Sequence, residues 1–128
     1  MFLLCQITFA QHSTTINAAF DANARTINVN QELTYVNTST DTINYIILND
    51  WNNAYSSKTT PMAKRFTDEF IKAFHLAKDT DRGFTTINNF TDQNNLNLNW
   101  HRPDGHPDLV YVQLKNPIYP GKSFRISF

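Results

Sequence analysis

The sequence is poor in the residues that staple or punctuate a chain. It has one cysteine, Cys5, among 128 residues, so a folded domain here must rely on its core rather than on disulfides. Three glycines exclude collagen-like and glycine-rich linker architectures. No sign of charge dominates: 11 basic residues balance 11 acidic ones, which gives no electrostatic footprint for nucleic acid and no polybasic run for an anionic membrane. No apolar run approaches the roughly 18 residues of a membrane-spanning helix. The zinc-peptidase helix His-Glu-x-x-His, the Gly-x-Ser-x-Gly elbow, the phosphate-binding loop and the dinucleotide fingerprint are all absent from the sequence.

What is abundant points to a sheet. Ten Phe, five Tyr and two Trp supply core material, and the length suits one domain. Thr14 to Phe20 alternates loosely. Asp21 to Arg25 is a polar turn, and Thr26 to Val36 reads as a long strand with Ile27, Val29, Leu33 and Tyr35 on one face. After a second turn at 37–41, Thr42 to Leu48 is apolar on both faces, which predicts a strand covered on both sides. Further strands are predicted over Phe84–Phe90, around Leu96, Leu98 and Trp100, over Leu109–Leu114, and over Phe124–Phe128 after the Asn116–Gly121 turn. Between them, Met62, Phe66, Phe70 and Phe74 recur at steps of four behind Pro61 and a capping Thr60. That spacing predicts one amphipathic helix over about 61–78 that packs Phe70 against the domain's own sheet. The fold class is mainly β, an antiparallel sandwich or saddle-like sheet with one helical insertion.

Few residues suggest chemistry. His101, Asp104, His106 and Asp108 crowd one loop, but Pro103, Pro107 and Asp104-Gly105 read as turn signals, so a solvated hairpin outweighs a metal site. His75, near the end of the helix, suits the helix dipole better than a ligand role. His12 reads as part of a disordered leader and carries no assigned role. Trp51, Tyr55, Tyr111 and Tyr119 are candidates for an exposed aromatic cluster, weighed against core or turn packing. Asn37-Thr-Ser39 and Asn89-Phe-Thr91 match the glycosylation triplet and suggest exposure. No catalytic, cofactor-binding or metal residue is assigned.

The leader MFLLCQITFA reads as the remnant of a secretion signal over residues 1–10, with 11–128 the domain proper. An ordinary first strand, or a lipid-modified Cys5, are the alternatives. The implied location is secreted, periplasmic or at the cell envelope.

Four stretches together resemble the N-terminal β domain of gluzincin-type zinc aminopeptidases, the relatives of aminopeptidase N, in the form found in Bacteroidetes-like secreted proteins. They are LTYVNTSTDTINYIIL, with Tyr35, Asn37, Ser39, Asp41 and Ile43; LNDWNNAY, with Trp51, Asn53, Ala54 and Tyr55; the run from Gly83 to Trp100; and DLVYVQLKNPIYPGKS, with Asp108, Val112, Leu114, Pro117, Ile118, Pro120, Gly121 and Ser123. Asn49 and Asn52 depart from the family's His and Pro. The resemblance covers residues 14–128. It implies a non-catalytic domain that flanks and shapes an active-site cleft. The zinc and its ligands are expected in a catalytic domain of the same peptidase, and peptide substrates bind only through the assembled enzyme. On that reading the domain is truncated at its C-terminal end. The alternative is a free-standing extracellular β-sandwich that binds a protein or glycan.

Overall fold

The computed structural model describes residues 12–128, so the secretion-signal reading and Cys5 lie outside the described residues. The domain is mainly β, with two antiparallel sheets and a few short helices. One sheet runs β1-β2-β7-β4, from β1 (Ser13–Asp21), β2 (Thr26–Val36), β7 (Ser123–Ser127) and β4 (Thr91–Asp92). The other runs β3-β6-β5, from β3 (Ile43–Asn49), β6 (Leu109–Ile118) and β5 (Asn99–His101). The inward faces share one core. β6 contributes Val110, Val112, Leu114 and Ile118, β7 contributes Phe124 and Ile126, and Ile46, Phe90 and Leu98 complete it. Period-two alternation is therefore expressed where a strand lies between core and solvent, as in β6 and β7.

A buried asparagine locks the two sheets at one corner. Asn37, fully buried, follows β2. Its Nδ2 donates to the Asp41 carbonyl at 2.7 Å and to the Ile118 carbonyl at 2.9 Å. Its Oδ1 accepts from the Ser39 N–H and hydroxyl. Its backbone N–H donates to Lys122 O and its carbonyl accepts from Gly121 N–H. The β2–β3 turn and the β6–β7 turn are thus one hydrogen-bonded unit, and Gly121, at φ +73°, supplies the left-handed position the second turn needs. The same burial overturns the exposed reading of the triplet at Asn37, whereas Asn89 is exposed.

Three expectations fail, each for a local reason. The single helix over 61–78 is two short ones, α2 (Pro61–Asp68) and α3 (Ala73–Leu76), which follow α1 (Trp51–Ala54). Thr60 does cap α2, accepting from Ala63 N–H. The helix then closes in a Schellman pattern, with Phe70 N–H on Thr67 O and Ile71 N–H on Phe66 O. The left-handed residue is Phe70, at φ +58°, where glycine is usual. The reversal stacks Phe74 edge-on to Phe66, with ring centroids 5.4 Å apart, and leaves Phe70 85 % exposed rather than packed on the sheet. Second, residues 84–90 join no sheet ladder. The Asn53 side chain substitutes for a neighbouring strand, accepting from Thr85 N–H and donating to Thr85 O, and ladder pairing starts only at Thr91. Third, β3 is covered on one side. Ile46 faces the core, but Tyr45 and Ile47 face outward with no layer over them among the described residues.

Asp92 organises the turn into β5. Its Oδ1 accepts from Leu96 N–H at 2.9 Å and Asn94 N–H at 2.8 Å. The Leu96 bond holds the carboxyl below its ordinary range; burial opposes this, and Asn94 and Lys115 assist.

Three outcomes follow from this packing. Phe90→Ala should cost about 3–5 kcal/mol in urea unfolding, while Phe70→Gly should stabilise by about 1 kcal/mol by relieving the left-handed strain; a costly Phe70→Gly would place that ring in the core. The Asp92 carboxyl is depressed in the fold, so it stabilises above its ordinary pKa, and that contribution disappears as pH falls through the folded value. Unfolding curves taken down through the carboxylate range should therefore fall less steeply for Asp92→Asn than for the parent.

Candidate functional site

The outer face of the β3-β6-β5 sheet carries a row of stacked rings. Antiparallel register sets Ile47 and His101 opposite Tyr111, and Tyr45 opposite Gln113. Tyr45 therefore lies diagonal to Tyr111, within reach for aromatic side chains. The Tyr45 and Tyr111 rings stack with centroids 5.7 Å apart, and His101 stacks on the other side of Tyr111 at 5.5 Å. Tyr45 is 51 % exposed and His101 is exposed, while Tyr111, stacked between them, is half-buried, so the row is open to solvent at its two ends.

Hydrogen bonds tie down the loop at one end of this row. Arg102 donates from Nη2 to Asp50 Oδ2 at 2.6 Å and from Nη1 to Pro107 O at 2.8 Å. Asp50 Oδ2 also accepts from Asn53 Nδ2, and Asp50 N–H donates to Asp108 O. The Arg102 guanidinium lies 6.0 Å from the centre of the Trp100 ring, and Trp100 packs edge-on to buried Phe90. A line of contacts thus runs from the core to the 101–108 loop, and the planar guanidinium ties the loop to the start of α1.

The residues singled out in the sequence are scattered by this geometry. His101 joins the aromatic row, Asp104 and His106 stand exposed near the loop tip, and Asp108 is half-buried with Oδ1 sealed from solvent. Among the described residues no group of three or more His, Cys, Asp or Glu converges as metal ligands would. His75 Nε2 lies 3.0 Å from Ala63 O and 2.9 Å from Thr67 Oγ1, and so ties α3 back to α2. His12 is not in a disordered leader: it stacks on Tyr35 and its Nδ1 accepts from Val36 N–H. Of the four aromatic candidates only Tyr111 enters the row. Tyr55 packs with Phe66 and Phe74, while Trp51 and Tyr119 are exposed elsewhere. Tyr45 was missing from that set. Its strand is apolar on both faces, and only pairing with Tyr111's strand distinguishes the open one.

The chain matches no protein-family model, no curated protein and no solved structure.

The Arg102 clamp has a measurable energy. Arg102→Ala should destabilise by about 2 kcal/mol, as expected for hydrogen bonds to a charged group. Arg102→Lys should recover under half of that, because one ammonium cannot reproduce the planar two-point contact. Urea unfolding of the two variants measures both, and an unchanged midpoint for Arg102→Ala would contradict the clamp.

Proposed function

We propose that the chain is a non-catalytic β domain of a zinc aminopeptidase-type metallopeptidase, whose role is to flank and shape a cleft completed by a catalytic domain. What supports the reading is the convergence of its motif residues. Asn37, Ser39 and Asp41 of one stretch meet Ile118 and Gly121 of another through the Asn37 hydrogen bonds. In a third stretch, buried Asn53 holds Thr85. Residues from separate stretches thus serve one framework, as residues that set a domain's shape would. In this reading the domain supplies no catalytic group or metal ligand. Zinc, its bound water and the general base belong to the catalytic domain, and peptides are bound by the assembled enzyme.

A second reading is a secreted β module that binds a glycan or protein, and the exposed Tyr45–Tyr111–His101 row favours it. The exposed rings at the two ends of the row, Tyr45 and His101, suit contact with a sugar ring or a flat apolar partner.

Antibody capture of the protein from its native host separates the two. The first reading expects zinc and chelator-sensitive aminopeptidase activity in the captured material, with His-Glu-x-x-His peptides in its mass spectrum, on the same polypeptide or an associated one. Captured protein with neither the motif nor the activity overturns it. The second reading then expects polysaccharide or protein binding that is lost in the Tyr45→Ala, Tyr111→Ala double variant.

A further inference from the structure

Residues 62–78 contain no glycine, proline or asparagine, and their apolar residues recur at steps of four, yet the helix breaks in their middle. The break sits on Phe70, whose φ of +58° is an outlier for a bulky residue and whose ring is left in solvent. It also strands backbone groups on either side. Among the described residues, the N–H groups of Lys72, Ala73 and Phe74 have no backbone acceptor, and the carbonyls of Asp68, Glu69 and Phe70 have no backbone donor. Those donors and acceptors are the ones an uninterrupted helix would join, each N–H to the carbonyl four residues before it.

A small set of contacts holds α3 against α2. Phe74 packs on Phe66 and Tyr55, with ring centroids 5.4 Å and 6.1 Å away, and the Arg82 guanidinium lies 4.5 Å from the Phe74 ring centre. His75 Nε2 reaches Ala63 O and Thr67 Oγ1. The set is imperfectly satisfied, because the buried Arg82 leaves Nη1 without a partner. In one continuous helix these contacts are lost: Phe74 stands about 12 Å along the axis from Phe66, and His75 about 18 Å from Ala63. Local preference, the stranded groups and the strain at Phe70 thus favour one helix, and the packing of Phe74 and His75 favours two. Such a conflict between local and tertiary preference brings two discrete arrangements close in free energy.

We propose that residues 61–76 are a two-state element, in which α2 and α3 exchange with one continuous helix by rotation of the backbone at Phe70 and the residues just after it. The continuous form pairs the stranded groups, returns Phe70 to right-handed backbone, and sets Met62, Phe66, Phe70 and Phe74 along one face. Phe74 and His75 are the latch, and Phe70 is the hinge. The chain beyond permits the change. Asn53 holds Thr85 near the start of α2, the chain from Leu76 to Thr85 reaches up to about 30 Å, and a helix over 61–76 is about 24 Å long. No residue of the core shared by the two sheets lies in the segment, so the sheets stay as they are while it changes.

Latch and hinge can be altered separately. In the Phe70→Ala, His75→Ala double variant the latch loses its hydrogen bonds and alanine favours right-handed backbone. Its NMR spectrum should show helical Cα shifts unbroken through 68–74 and no nuclear Overhauser contact between the Phe66 and Phe74 rings. In the Phe70→Gly, His75→Ala variant the hinge is at ease in its left-handed form. There the ratio of continuous to broken helix should fall by about tenfold, and the ring contact should persist. Methyl signals of Val110, Val112 and Ile126 should keep their native positions in both variants. A ring contact that survives in the alanine variant overturns the proposal. So do shifts of unstructured chain over 69–76, equal populations in the alanine and glycine variants, or loss of the native methyl signals.

Discussion

The fold depends on the burial of one uncharged amide. A buried side-chain amide must find partners for its own donors and acceptors, and Asn37 finds them in two turns that are 81 positions apart in sequence. The buried Ile118 carbonyl, at the end of β6, is satisfied by Asn37 Nδ2. The same residue's backbone pairs with Gly121 and Lys122, so one position fixes the distance between the end of β2 and the β6–β7 turn. With that corner set, β7 enters alongside β2 in the register that points Phe124 and Ile126 inward, and the core closes between β6 and β7. An aspartate at 37 would keep the acceptor and lose both donors, so the choice of amide over carboxylate follows from the two carbonyls it must serve.

A second asparagine does related work at the other end. Asn53 presents an amide edge to Thr85 in the manner of a backbone neighbour and holds an extended segment that no strand accompanies. In both, a side chain replaces secondary structure where the chain changes direction.

How far the sequence reveals the structure depends on whether a feature is local. β6, β7 and the second half of β2 are legible because one face of each meets the core, and burial imprints a period of two. The end of α2 is not. The step-four apolar series runs straight through Phe70, and nothing at that position has the glycine or asparagine that marks a left-handed cap. The helix stops there because the aromatic packing of Tyr55, Phe66 and Phe74 requires the reversal. Residues 84–90 mislead for the opposite reason: their composition suits a strand, but the ladder that would make them one is absent. The aromatic row fell between the two cases. Tyr111 stands out in its strand, whereas Tyr45 is recognisable only once β3 and β6 are paired.

The architecture of β2 also orders assembly in time. Its partner on one side, β1, is reached through a short turn at 22–25, while its partner on the other, β7, lies near the far end of the sequence. Closing a short hairpin costs little chain entropy and takes about 1–10 μs. Docking β7 and seating the Asn37 corner require the intervening chain to be gathered first, which places them among the slow, non-local events. Until then the whole outer edge of β2 is open, with uncharged, alternating residues along much of its length. Crowding on the pathway therefore bears on this protein most heavily before its core has formed, and the speed of β7 docking sets how long nascent chains remain open to one another.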